Sequence, residues 1–88
     1  KKRSLNMRLD KYLKVSRIIK RRTVANEACD AGRVVVNGKI ARASYDVKVN
    51  DVIELTLGAR TVKARVVSVN EYAKKDEAAM MYEIIEEK

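Results

Sequence analysis

The sequence predicts an α+β fold, with two short N-terminal helices packed on a small, mainly antiparallel sheet. Three observations carry this. Apolar residues recur at helical spacing up to about residue 31, and Gly32 follows as a stop signal. Beyond it the chain is rich in Val and alternates apolar with polar side chains. Between Val34-Val35-Val36 and Lys39 stands Asn37-Gly38, a strong two-residue hairpin signal, because a type I′ turn needs positive φ at both central positions.

Each element follows in order. Residues 1–7 read as a basic flexible N-terminus. Residues 8–15 form the first helix, where Leu9 and Leu13 lie one turn apart and face the core. Ser16 to Arg22 is a tight turn with Ile18 and Ile19 anchored inward. Residues 22–31 form the second helix, with Val24, Ala25, Ala28 and Ala31 as a small-residue stripe that allows close approach to its neighbour. Val34 to Val36 and Lys39 to Arg42 are the two arms of the hairpin. Ala43 to Asn50 is a mixed connection, and Asn50-Asp51 a turn. Val52 to Leu57 and Thr61 to Val69 are strands joined through Gly58-Ala59-Arg60. Asn70 to Asp76 is a polar loop. Glu77 to Ile85 is ambiguous, since Ala79, Met80 and Met81 favour helix while Tyr82, Ile84 and Ile85 favour strand or a packed tail. The domain is read as 8–70, with 71–88 as a C-terminal tail packed on it or extending it.

Composition narrows the function. With 88 residues the chain fits one compact domain. A domain of this size buries only about 60–65% of the surface its unfolded chain exposes, so a deep substrate cavity is not expected. There is no His and a single Cys. Ordinary structural zinc sites and Ser-His-Asp or Cys-His catalytic units are therefore excluded. No metal, no cofactor and no enzymatic activity are expected. Cys29 reads as a small buried filler. With no secretory signal and no apolar run near the length of a membrane span, a soluble, cytoplasmic protein and a monomer are expected.

The net charge is +8, and its placement is lopsided. Residues 1–42 hold 13 Lys/Arg against three acids, Asp10, Glu27 and Asp30, whereas residues 43–88 hold seven against nine. One-sided positive charge is the footprint of a polyanion site, and solubility alone does not require it. The candidate binding residues are Arg8, Lys11, Lys14, Arg17, Lys20, Arg21, Arg22, Arg33, Lys39 and Arg42. Six of these ten are Arg, whose planar fork grips a phosphate in two places. Arg8, Arg17 and Arg22 come first among them. The bland alternative is that several only cover the core with their stems, or pair with the three acids. Asp10 reads chiefly as favouring the start of the first helix through its dipole, or else as holding Arg8, Lys11, Lys14 or Arg17 in place. Tyr12 reads as packing on the core with its hydroxyl outward rather than as stacking on a base. Tyr72, Tyr82, Met80 and Met81 read as core before partner surface.

The order of these pieces carries a resemblance. Arg8-Leu9-Asp10-Lys11-Tyr12-Leu13, then Ser16-Arg17 and the basic run to Arg22, then Ala31-Gly32-Arg33-Val34-Val35-Val36-Asn37-Gly38-Lys39, then Val49-Asn50-Asp51-Val52-Ile53, resembles the S-four RNA-binding domain, or alpha-L motif. The resemblance covers residues 8–57 and implies that both helices and the hairpin form one RNA-binding surface. Arg8 through Arg22, together with Glu77 to Tyr82, resembles the stand-alone RqcP-type proteins of bacterial ribosome-associated quality control, and is similar to small heat-shock relatives that bind free large subunits. That implies binding to large-subunit (23S) ribosomal RNA and to peptidyl-tRNA on an obstructed subunit. It also implies support for alanine tailing of the stalled chain beside a tRNA-recruiting factor. Asn50-Asp51 replaces the family's usual Gly-Asp, and Pro is absent near Ala43-Ser44. Asn tolerates a left-handed backbone, so the turn is still expected. An enzyme module is the competing class, but the 31 residues after Leu57 leave no room in this chain for a catalytic domain. A DNA-binding or general anion-binding protein is the third class, and charge alone does not exclude it.

Overall fold

In the computed structural model, residues 7–69 and 74–87 are described. The chain runs β1 (Met7–Arg8), α1 (Leu9–Val15), α2 (Arg22–Asp30), β2 (Val34–Val36), β3 (Lys39–Ile40), β4 (Asp46–Val47), β5 (Val52–Leu57), β6 (Arg60–Val66), α3 (Lys75–Ala78) and β7 (Tyr82–Glu87). This is the expected α+β arrangement. Five strands form an antiparallel sheet in the order β3-β2-β5-β6-β7, and β1 pairs with β4 in a separate two-stranded ribbon.

The core forms where helical and strand periodicities meet. Leu9, Tyr12 and Leu13 of α1 and Ala25, Ala28 and Cys29 of α2 are buried in one cluster with Val34, Val36, Ile53, Leu55 and Val66 of the sheet. On β6 the buried residues Val62, Ala64 and Val66 alternate with half-buried Lys63 and Arg65, as the strand period demands. The small-residue stripe of α2 is rotated from its expected position: Ala25 and Ala28 are buried, but Val24 and Ala31 are exposed and Cys29 takes their place inside. Positions 25, 28 and 29 define the true inward face at 3.6 residues per turn.

The turns follow residue chemistry. Gly32 ends α2 with φ +74°, and Asn37 and Gly38 take φ 53° and 84°, as a type I′ turn requires. Asn50, at φ 80°, makes the left-handed turn that the Gly-Asp pair would otherwise make. The returning arm of the hairpin is shorter than expected and ends at Ile40; the Ala41 N–H still donates to the Val34 carbonyl, and the Ala43 carbonyl then accepts the Asp10 N–H at the start of α1. The mixed connection contains a strand after all: Val47 pairs with Met7 and Asp46 with Arg8. Met7 is accordingly buried. The strand expected over 61–69 runs from Arg60 to Val66, and the ambiguous segment resolves into both a short helix and a strand. Of the expected polar loop, residues 70–73, including Tyr72, lie outside the described residues.

One carboxylate fixes the hairpin against the turn that follows β4. Asp51 accepts bonds from the Asn37 side chain (3.0 Å), the Tyr45 hydroxyl (2.8 Å) and the Lys48 N–H (2.9 Å). Asn37 in turn accepts the Val52 N–H (2.9 Å). Burial, together with the Asp51 bond and charge, pushes the Tyr45 hydroxyl pKa upward.

Tyr12 is wholly buried, and its hydroxyl does not reach solvent as expected. It donates to the Met81 carbonyl at 2.7 Å, joining α1 to the C-terminal segment. The Met81 carbonyl also takes the N–H groups of Val67 and Ser68. Met81 is core, as expected, but Met80 is 72% exposed and Tyr82 half-buried. Replacing Tyr12 with Phe removes one donor without orphaning the carbonyl. The expected loss is therefore modest, about 1 kcal/mol by chemical denaturation, with the fold retained.

Candidate nucleic-acid interface

The start of α1 is unusually well tied down for a seven-residue helix. The orphan N–H groups of a first turn need acceptors. Here the Leu9 N–H donates to the Tyr45 carbonyl (2.8 Å), the Asp10 N–H to the Ala43 carbonyl (3.2 Å), and the Lys11 N–H to Asp10 Oδ1 (2.7 Å). Asp10 thus serves the helix start, as its position predicts. Its larger role lies with its neighbours.

The Asp10 side chain is 3% exposed. Arg8 Nε lies 3.2 Å from Oδ1 and Arg8 Nη2 3.3 Å from Oδ2. Arg22 approaches from α2, with Nε 3.4 Å from Oδ2 and Nη2 3.5 Å from Oδ1. Asn26, one turn further along α2, donates to Oδ2 at 3.2 Å. Burial alone would raise the Asp10 pKa, but the Arg8, Asn26 and Arg22 hydrogen bonds outweigh it and hold the pKa below the usual value. Both guanidinium side chains remain about half exposed, at 49% and 48%. Each therefore turns one side to the carboxylate and keeps other donors for solvent or a ligand. Two arginines 14 residues apart in sequence become one rigid cationic unit.

The other candidates lie on or beside α1, α2 and the hairpin. Lys11 is half-buried and Lys14 exposed on α1. Arg17 follows the C-terminal residue Ser16 with φ 65°, a conformation that favours Gly, and its N–H closes onto the Lys14 carbonyl at 3.0 Å. Its side chain is exposed. Lys20 and Arg21 are exposed on the approach to α2, and the Arg21 carbonyl accepts the Ala25 N–H that opens the helix. Arg33 is exposed between Gly32 and β2. Lys39 and Arg42 flank a separate open cavity of about 580 Å³ beside the hairpin, lined also by Asn37, Ile40 and Tyr45. Arg42 adjoins Ala43, whose carbonyl holds the Asp10 N–H, so the hairpin arm returns beside the first turn of α1. The structure joins Arg8 and Arg22 through the Asp10 carboxylate. Lys14 and Arg17 are not in contact with Asp10 in the way the sequence allowed.

Sequence reasoning missed Asn26. Its spacing of four from Arg22 places it on the same face of α2, which is the signal that could have found it. Cys29 is buried, and burial first, then the Asp10 and Asp30 charges, push its thiol up to about 11. An inert filler is what such a thiol makes. Among the described residues no cluster of His, Cys, Asp or Glu could hold a metal ion, and no helix is long and apolar enough to cross a membrane.

Residues 7–53 match the S4 domain. The chain belongs to the S4-domain family. It is 57% identical over 81 residues to the RQC P-site tRNA stabilizing factor of Streptococcus pneumoniae, covering 92% of each chain. It is 51% identical to the protein of the same name from Bacillus subtilis, covering 92% of this chain and 94% of that one. Its fold is similar to Heat Shock Protein 15 of Vibrio cholerae, with a TM-score of 0.82 at 28% identity, over 90% of this chain and 81% of that chain. The S4 match agrees with the resemblance carried by the Arg8–Leu13 and Ala31–Lys39 motifs, and the RqcP-type kinship with that carried by Arg8 to Arg22 and Glu77 to Tyr82.

Two predictions test the geometry. Asp10→Asn is expected to lose about 1–2 kcal/mol at neutral pH, because the charged acceptor for two guanidinium groups is gone. A depressed carboxylate pKa contributes stability above the unfolded value near 3.8, and that contribution fades as pH falls through the folded value. The gap between wild type and variant should therefore narrow below about pH 4, as read from denaturation midpoints. Arg17→Gly relieves the left-handed backbone at some cost in unfolded-chain entropy. It should stabilise the fold by about 0.5–1 kcal/mol in the same assay.

Proposed function

We propose that this chain is a non-enzymatic RNA-binding factor of bacterial ribosome-associated quality control. It binds the ribosomal RNA of the large subunit and peptidyl-tRNA held on an obstructed subunit in the cytoplasm, and thereby supports alanine tailing of the stalled nascent chain beside a tRNA-recruiting factor. The observation that carries the reading is the Arg8–Asp10–Arg22 unit, two half-exposed guanidinium groups fixed by one buried carboxylate. The similarity to the RQC P-site tRNA stabilizing factors of Streptococcus pneumoniae and Bacillus subtilis supports the same reading.

The mechanism is positional. Phosphates meet donors already held in place, so little side-chain entropy is lost on binding. Lys11, Lys14, Arg17, Lys20, Arg21, Arg33, Lys39 and Arg42 extend the cationic surface and release counterions as phosphates are neutralised. Shape and phosphate spacing supply the specificity in structured RNA, and base contacts are few. A tRNA held in one register needs no chemistry from the protein that holds it.

A second reading is a heat-shock-type factor that recycles large subunits, favoured by the likeness to Heat Shock Protein 15. Sedimentation of the tagged protein from cell extract separates the two. Recovery with large subunits carrying peptidyl-tRNA supports the quality-control role, and recovery with free subunits supports the other. Arg17→Ala keeps the same backbone constraint while removing the guanidinium. It should weaken subunit binding several-fold with an almost unchanged melting temperature. Raising salt should weaken binding with a log–log slope of roughly 0.7–0.9 per phosphate contacted, and a flat response would rule out a phosphate-dominated interface.

A further inference from the structure

The open cavity beside the hairpin lies apart from the arginine unit. It forms where β3 stops at Ile40 and the chain turns, the Tyr45 N–H closing onto the Arg42 carbonyl at 3.0 Å. Its volume of about 580 Å³ falls within the range of small-ligand sites, about 300–1,000 Å³. Val36, Ile40, Ala41 and Tyr45 make its lining mainly apolar. Ile40 is 70% exposed. A lone exposed isoleucine needs no explanation, but one that lines a cavity with an aromatic ring and two cations does.

The polar groups narrow the occupant. Asn37 also lines the cavity, but its side chain is committed to Asp51 and to the Val52 N–H, and the Tyr45 hydroxyl is committed to Asp51. These groups have little left for reading the edge of a ligand, so the cavity offers chiefly apolar and ring contact. Tyr45 is already fixed for it. Its carbonyl accepts the Leu9 N–H at 2.8 Å and its hydroxyl donates to Asp51 at 2.8 Å, so little side-chain freedom is lost on binding. Lys39 and Arg42 line the same cavity and are exposed, and no ion pair joins either to another described residue. Their charge is available to a ligand.

A ring and an aliphatic side chain beside two uncommitted cations match a flat heterocycle that carries anions. A nucleotide within a strand has that form, a base with a phosphate on either side. The cavity is also continuous with the arginine unit, because the Tyr45 and Ala43 carbonyls hold the Leu9 and Asp10 N–H groups at the start of α1. In a duplex, neighbouring bases cover each base face, so the nucleotide that enters must be unpaired and splayed out.

We propose that this cavity receives a single unpaired nucleotide of the bound RNA, its base against Tyr45 and Ile40 and its phosphates on Lys39 and Arg42. The proposal rests on the RNA-binding reading and adds a base-stacking subsite to it. With few free edge donors or acceptors, the subsite selects an unstacked base over a paired one and discriminates little among the four bases.

The test is NMR titration of the isotope-labelled full chain with a short oligoadenylate and with an abasic strand of the same phosphate count. A peptide alternating Glu and Leu runs in parallel. Oligoadenylate should shift the amides of Lys39, Ile40, Arg42 and Tyr45 and bind about fivefold or more tighter than the abasic strand, the gain of one stacked base. Ile40→Ser should remove most of that preference while leaving abasic binding and melting temperature nearly unchanged, since the residue is exposed. If Ile40→Ser melts early, Ile40→Thr keeps the β-branched strand preference and makes the same test. Arg42→Ala should weaken both strands. Equal affinity for the two strands, unmoved amides at these four residues, or a preference that survives the Ile40 variants would each overturn the proposal. Equal or tighter binding of the peptide at the same amides would also overturn it and assign the cavity to an acidic protein segment. Shifts of α1 and α2 with both strands would leave the RNA reading standing even where the cavity amides stay still. Still amides throughout α1 and α2 would overturn that reading and the subsite with it.

Discussion

The carboxylate of Asp10, buried and fully coordinated, is the constraint on which the candidate interface depends. A charged group in that position is tolerable only when donors surround it, and Arg8, Arg22, Asn26 and the Lys11 N–H supply them. Satisfying the acid therefore dictates where the two arginines stand. Arg8 is positioned through β1, which pairs with β4, and Arg22 through the first turn of α2. The packing of α1 on α2 and the pairing of β1 with β4 converge on one ion cluster. A stability requirement thereby sets where the two half-exposed guanidinium groups stand.

A second carboxylate does for the hairpin what Asp10 does for the helices. Asp51 gathers Asn37, Tyr45 and the Lys48 N–H, so the type I′ turn is held from outside as well as by its own backbone. Tyr45 links the two systems, because its carbonyl accepts the Leu9 N–H while its hydroxyl donates to Asp51. Helix start and hairpin are fixed relative to each other through one residue. A binding surface spread over both elements gains rigidity from that link, and rigidity lowers the entropic cost of engaging a shaped RNA.

Charge divides the molecule into unlike halves. The N-terminal half carries the arginine unit and most of the other cations, whereas residues 43–88 are slightly acidic. The Tyr12 hydroxyl bond to the Met81 carbonyl spans this division and holds the C-terminal segment to α1.

Much of this was legible in the sequence. Helical spacing of Leu9 and Leu13, the stop at Gly32, the Asn37-Gly38 turn and the Val-rich alternation defined the fold class, because they depend on local backbone preferences. The asymmetry of charge pointed to a polyanion for the same reason, since net charge needs no tertiary detail. Tertiary structure alone decided the rest. The pairing of Asp46-Val47 with Met7-Arg8, the buried Tyr12 hydroxyl and the Asn26 contact are long-range choices, made by packing and by the need to satisfy buried polar groups. That Arg8 and Arg22 share one carboxylate while Lys14 and Arg17 do not follows from the approach of α1 to α2, which one-dimensional spacing does not encode.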